Sequence, residues 1–296
     1  MQSIKEMQRR IKSIRDLTQM TQAIETVSAA KVRNAVQTLQ ATRPYAEKAW
    51  KVLLHLARQP GHTALHPLLN ERPAIDKALV ILVSGDRGLA GAFNTEVVRF
   101  SLDYLKRQSY EIRFISLGQK GRNFLIRNRQ QVIADFSGLP EPPGYGDVLP
   151  ISRMVINEYI KGEADRVYLA YTRYVNKIKQ EPIIRKLIPL ETAHSDDLAE
   201  AYNITHPSNA VFIFEPDERE ILDQVIMRFT AIQIQEALLE SLASEHSARM
   251  LTMHNASENG KDLAREHEMF YHKARQNGIT TRILDIVNGA NALENN

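Results

Sequence analysis

The chain has 296 residues, a net charge of +3, no cysteine, and ordinary shares of hydrophobic (43%) and charged (25%) residues. That is enough for one substantial core or two modest ones. It excludes disulfides, thiolate metal sites and a cysteine nucleophile, gives no bulk basic charge for nucleic acid, and includes no apolar run long enough to cross a membrane.

Residues 1–58 contain no glycine and no proline before Pro44. Ile4, Met7, Ile11 and Ile14 are spaced as a heptad seam; the stripe then steps to Leu17, Met20, Ile24 and Val27, a three-residue stammer. This predicts one long helix, kinked or restarted at Pro44, with Trp50 and Leu53 docking onto the middle of the chain. Residues 59–76, with Pro60, Gly61, Pro67 and Pro73, read as a linker.

Residues 77–216 alternate. Strands are predicted at 78–83, 111–117, 131–136, 166–171, 183–190 and 210–214, the first an unbroken apolar run that suits a strand buried on both faces. Helical patterns fall between them, one following the Pro140–Gly146 loop with Asp147 or Ser152 placed as its cap. Strand–helix alternation predicts an α/β domain with a mainly parallel, Rossmann-like sheet.

Residues 217–296 contain no proline, and glycine only at 260, 278 and 289. Ile221, Val225, Phe229, Ile232, Leu239 and Leu242 recur at helical spacing, and Met253, Ala256, Gly260, Leu263, His267, Phe270 and Ala274 alternate steps of three and four. A continuous helix of this length spans about 120 Å, too long for a domain of this size, so it must project. Its apolar stripe needs cover, and the first helix is the available partner, antiparallel because one enters and the other leaves the same middle segment. Charge agrees: residues 1–58 carry eleven Lys+Arg against four Asp+Glu, and residues 217–296 eight against thirteen. If Asp217 starts near Arg58, Ser3 lies near 272, and residues from about 273 overhang. Ile279, Ile283, Ile286 and Val287 then form an apolar face with no partner in the chain, which implies either another protein around it or a frayed tail.

Three patterns invite chemistry. The turn Ser84–Asn94, with Gly85, Gly88 and Gly91, follows a buried strand and opens a helix, where backbone N–H groups can meet a phosphate. Its spacing is not that of a dinucleotide fingerprint, and a tight turn is the simpler reading. His267 and His272 sit about 140° apart on a helix and cannot share a metal; no cofactor is expected. The basic helix face with Arg9, Arg10, Lys12 and Arg15 lacks interleaved aromatics for nucleic acid.

The whole chain resembles the γ subunit family of F-type ATP synthases. The resemblance is carried by residues 8–33, by Arg43-Pro44-Tyr45-Ala46-Glu47, by Gly85-Asp86-Arg87-Gly88-Leu89 with Asn94, and by Ser244-Glu245-His246-Ser247-Ala248-Arg249-Met250 with Met253. Tyr271, Lys273-Ala274-Arg275-Gln276, Ile279-Thr280, Ile286-Val287 and Gly289-Ala290 complete it. Gln19 and Gln22 depart from the family's usual lysines, and Asn277 and Gly278 from its alanines. The resemblance implies a non-catalytic rotor, a component of the ion-transporting two-sector ATPase. Its antiparallel coiled coil (helices 1–58 and 217–296) would turn inside a hexamer of α and β subunits. Its α/β foot (77–216) would bind the ε subunit and the c-ring, peripheral to the cytoplasmic face of a bacterial membrane. It further implies subunit-contact and coupling roles for Met20, Ile24, Lys31, Arg33, Asp86, Arg87, Arg249, Arg275, Gln276, Ile279, Thr280, Ile283, Ile286 and Val287. Two other classes compete: a nucleotide-binding α/β protein with a coiled-coil tether, and a coiled-coil chaperone.

Overall fold

The computed structural model describes residues 4–57, 66–69, 71–108, 110–190 and 218–294. In chain order they form α1 (Ile4–Ala57), β1 (Lys77–Val83), α2 (Phe93–Leu105), β2 (Glu111–Leu117), α3 (Gln119–Arg127), β3 (Gln131–Asp135), α4 (Tyr145–Ile160), β4 (Arg166–Tyr174), β5 (Gln180–Ile188) and α5 (Glu218–Glu294). Two compact units result, one of residues 29–249 and one of residues 1–28 with 250–296.

In residues 29–249 the sheet order is β3-β2-β1-β4-β5. The first four strands are parallel, as the alternation predicts, and β5 is antiparallel to β4. Only residues 175–179 separate β4 from β5, far too few for a crossover, so the chain must turn back as a hairpin. The strand predicted at 210–214 lies outside the described residues. Alternate residues of β1 serve opposite layers. Leu79, Ile81 and Val83 join a core with α1, α4 and α5, whereas Ala78, Val80 and Leu82 join one with α2. Trp50 of α1 is fully buried there, stacked on Phe229 of α5 with ring centroids 5.2 Å apart.

Local chemistry departs from expectation at two helix features. Helix α1 runs through Pro44 without a break; proline removes one N–H from the ladder, and flanking turns keep theirs. Helix α4 begins at Tyr145, so Asp147 lies in its first turn and accepts a hydrogen bond from Gly144 N at 2.8 Å. Ser152 lies too far inside to cap and donates to Leu149 O instead.

The segment before β1 is stapled by charge. Arg72 meets Asp165 at 2.8 Å, donates to Tyr159 O and stacks over the Tyr159 ring. Asp165 also accepts from the amides of Asp76 and Lys77. Burial pushes the Asp165 carboxyl up, but those two amides and the guanidinium outweigh it and hold it below its ordinary 3.8. A depressed carboxyl stabilises the fold fully above its unfolded pKa, and the contribution is lost as pH falls through the folded value. Asp165→Asn should therefore cost about 1–3 kcal/mol at neutral pH. Urea titrations across the acid range should show wild type and variant converging as pH falls; a constant gap would show that the charge contributes nothing.

In residues 4–28 with 250–294 the two helices run antiparallel. Gln8 donates to the Tyr271 hydroxyl at 2.8 Å, Arg15 pairs with Glu268 at 2.6 Å, and Glu25 meets His254 at 3.0 Å. The seam differs from the apolar stripe read off the sequence. On α1 it runs through Met7, Ile11, Ile14, Thr18, Thr21, Glu25 and Ser28, all buried or half-buried, in steps of four and three with no stammer. On α5 it runs through Met253, Ser257, Gly260, Ala264, His267, Tyr271, Ala274 and Gly278. Leu17, Met20, Val27, Leu263 and Phe270, expected inside, are 44–62% exposed. The physical reason is close approach. A Cβ added to Gly260 would collide with the Thr18 hydroxyl, and one added to Gly278 would touch Ile4 Cδ1 at 3.7 Å. Around Thr18 and Gly260 small side chains face each other and large ones turn out, while Met7, Ile11, Ile14 and Met253 stay within the seam. Contacts across the pair reach Gly278, so the stretch with no facing described residue begins there rather than near 273.

Gly260→Ala should lower the thermal midpoint of the full chain, although alanine favours a helix by about 1 kcal/mol, because overpacking costs about 1–3 kcal/mol. Adding Thr18→Ala removes the obstructing hydroxyl and should bring the double variant back to wild type or above. Circular dichroism melts of all three chains check this; a stabilised Gly260→Ala single variant would mean the helices are not held that close.

Candidate functional site

The glycine turn sits at the carboxyl end of β1, beside the point where the sheet order reverses, the usual ligand crevice of such sheets. Its own polar groups are paired within the chain. The Asn94 side chain accepts from Gly85 N at 2.8 Å and donates to Arg87 O. Asp86 accepts from the amides of Gln119, at the start of α3, and Gly138. This carboxylate takes the place at a helix N-terminus that a phosphate would take.

The crevice is also filled from above by α5. A Cβ on Gly85 would stand 2.6 Å from the Glu245 carboxyl carbon. Arg249, one turn on, holds Glu245 at 2.5 Å, donates twice to Gly88 O, and meets His246 Nδ1 at 3.0 Å. His246 Nε2 in turn faces Glu141 at 3.5 Å, and Glu141 pairs with Lys31 of α1 at 2.6 Å. Burial dominates the titration of both central groups. It raises the Glu245 carboxyl despite Arg249, and lowers the His246 imidazole to about 4 despite Glu141. His246 is thus neutral at physiological pH. Chemically the cluster is a clasp that joins α1, the glycine turn, the 136–144 loop and α5. Among the described residues no three His, Asp or Glu converge as a metal site.

Removing Arg249 leaves a buried carboxylate and an unpaired carbonyl. Arg249→Ala should cost about 3–5 kcal/mol. The deficit should grow as pH rises through the carboxyl range, because an unpaired Glu245 holds its proton more tightly folded than unfolded. Arg249→Met with Glu245→Leu should recover most of the loss. Denaturant unfolding at two pH values checks this; a surface-like loss under about 0.5 kcal/mol would dismiss the clasp.

The second candidate is the outer surface of the paired helices, 4–28 with 250–294. Leu17, Met20, Val27, Leu251, Leu263, Met269 and Phe270 are exposed there, and after Gly278 so are Ile279, Ile283, Leu284, Ile286 and Val287. Arg275, Gln276 and Thr280 are exposed on the same stretch, the Thr280 hydroxyl donating back to Gln276 O. A contiguous helical surface this apolar marks an interaction site.

The residues singled out in the sequence thus fall into two groups. Lys31, Asp86 and Arg249 are engaged inside residues 29–249, with Arg249 only 7% exposed, while Arg87 and Arg33 nearby point to solvent. Met20, Ile24 and the 275–287 residues belong to the paired helices, Ile24 half-buried beside the seam. Sequence reasoning missed Glu141, Glu245 and His246. The one available signal was the i,i+4 spacing of Glu245 and Arg249.

A family model described as ATP synthase matches residues 3–293. An ATP synthase gamma chain of Herpetosiphon aurantiacus is 38% identical over 99% of both chains, and one of Desulfitobacterium hafniense 37% identical over 99% of this chain and 100% of its own. Among solved structures, the rotor of Euglena gracilis mitochondrial ATP synthase covers 93% of this chain and 98% of its own at 17% identity, with a TM-score of 0.63. A central-stalk and c-ring structure from Tetrahymena thermophila mitochondrial ATP synthase covers 80% and 99% at 21% identity, with a TM-score of 0.60. The structures match in fold; the full-length sequence matches go further, and by them the chain belongs to the ATP synthase gamma chain family.

Proposed function

We propose that the chain is the non-catalytic rotor of the F1 sector. Its paired helices turn inside a hexamer of three α and three β subunits. Its α/β unit binds the ε subunit and the c-ring at the cytoplasmic face of a bacterial membrane. One observation carries this reading: the outer surface of the paired helices exposes large apolar residues, Leu17, Met20, Leu263, Phe270 and Ile286 among them. Such a surface loses free energy in water and gains it inside a sleeve. It offers few directional bonds to break at each step of a turn. Because the outward residues differ around the circumference, three identical sites around them meet different contacts, and a partner biases an equilibrium only by differential affinity.

The competing nucleotide-binding reading is disfavoured by the Glu245 carboxylate in the crevice beside Gly85. Like charge and lost volume both oppose a phosphate there.

Ile286, 71% exposed, lies in the stretch beyond the partner helix. Ile286→Asp would bury an unpaired charge on insertion and should impair assembly or torque, whereas Ile286→Leu should be mild. ATP-driven rotation and ATPase activity of reconstituted complexes check this. Normal assembly and coupling by the Asp variant would make the C-terminal stretch a frayed tail.

A further inference from the structure

A trough of about 760 Å³ opens on the surface of residues 29–249, between α1, α4 and the start of α5. The glycine-turn clasp does not reach it, and no role assigned above uses it. From α1 the trough is lined by Ala41 and Thr42, which are small, and by Tyr45. Leu149, Met227 and Ile232 make an apolar wall. A second depression of about 260 Å³ continues past Tyr45 and Arg228, which line both. Volume and lining are those of small-molecule sites.

The charged groups of the trough share one sign, beside the neutral Thr42, Gln224 and Gln235. Arg153 of α4 and Arg228 of α5 line it, and neither has a carboxylate partner among the described residues. The charges that act on the Tyr145 hydroxyl are those of Arg228 and Arg153, with the Tyr45 phenol, and no carboxylate. Arg228 faces the phenols of Tyr45 and Tyr145. Nearby acids are turned to other tasks: Asp147 accepts from Gly144 N, and Asp223 faces His66. Tyr45 and Tyr145 are 51% and 37% exposed, amphipathic rings standing at the mouth. Two guanidiniums beside an apolar wall, with phenol donors between, suit an oxyanion that carries a hydrocarbon body.

We propose that this trough binds an amphipathic carboxylate of the fatty-acid class, its head between Arg153 and Arg228 and its chain along Leu149, Met227 and Ile232. The site is independent of the rotor reading, since binding is measured on the free full-length chain and its failure leaves that reading untouched.

The probe is dodecanoate below its micellar concentration, followed by calorimetry and by the fluorescence of Trp50, the chain's one tryptophan, buried beside the trough helices. Saturable one-site binding is expected. Arg153→Gln with Arg228→Gln should weaken it by about tenfold or more, and Leu149→Trp, which fills the trough, should abolish it. Arg99→Gln, on α2, should leave it unchanged. Dodecyltrimethylammonium, the same chain with a cationic head, should not compete. The proposal is overturned by absent or non-saturable dodecanoate binding, by equal binding of the cationic amphiphile, or by indifference to the arginine pair. Attachment to phosphatidylglycerol vesicles without dodecanoate binding would make the patch a membrane surface and overturn it too.

Discussion

Two helices lie close only where neither puts a large side chain between them. At Thr18 and Gly260 the approach leaves no room for a Cβ, and Ser257, Ala264 and Ala274 continue the narrow seam. Its threonine hydroxyls are satisfied within their own helix, Thr18 donating to Ile14 O and Thr21 to Thr18 O, whereas the Ser257 hydroxyl is buried without a partner among the described residues. The seam therefore asks for few bonds across the pair. The consequence lies on the other side of each helix. Leucine, methionine and phenylalanine excluded from a narrow seam face outward, and their burial has to come from another molecule.

Residues 29–249 treat α5 in the opposite way. From Thr230 to Ser247 the helix is buried almost all round, polar residues included. Some of the polar residues there and just beyond bond to particular atoms of the α/β unit, while Thr230 Oγ1, Gln233 Nε2 and Ser247 Oγ are buried without a partner among the described residues. Gln235 donates to Pro143 O, Ser244 to Thr172 O, and Arg249 to Gly88 O. Each such bond fixes both the axial position and the rotation of the helix, because slipping by one residue would orphan a buried group at about 1–3 kcal/mol each. One stretch of α5 is thus anchored by directional bonds, while the stretch beyond Met250 carries a surface with few. A part that transmits torque needs the first property where it is held and the second where it turns.

Legibility differed with the kind of contact. The β1 strand was legible because a strand buried on both faces is an unbroken apolar run, as in Ala78–Val83. The direction of β5 was not, since apolar content says nothing about the sense of pairing; the short 175–179 connection did, and was not used. In the paired helices, Met253, Gly260, His267 and Ala274 of the series read on α5 lie on the seam, whereas Leu263 and Phe270 are exposed and Ser257, Ala264 and Tyr271 take their places. A three-and-four rhythm fits either set, and the larger apolar side chains are not the ones enclosed. The clasp was illegible for another reason. Gly85 and Glu245 are far apart in the chain, and only folding brings a carboxylate into the glycine turn.

Opposite net charge on the two terminal segments suggested that electrostatics pairs them, yet the structure makes little use of it there. Arg15 pairs with Glu268 across the described helices of that unit, and the Arg15 side chain is 62% exposed. Such a pair contributes at most about 1 kcal/mol and is screened by salt. Lys5, Arg9, Arg10 and Lys12 are exposed and make no such cross-helix pair among the described residues. A run of cations that the partner helix leaves unneutralised does little for the fold. It leaves a positive potential outside the helix pair. Much of the charge and hydrophobicity on these helices is directed outward, and what lies between the two is a seam of small residues around Thr18 and Gly260 flanked by buried Ile11 and Met253.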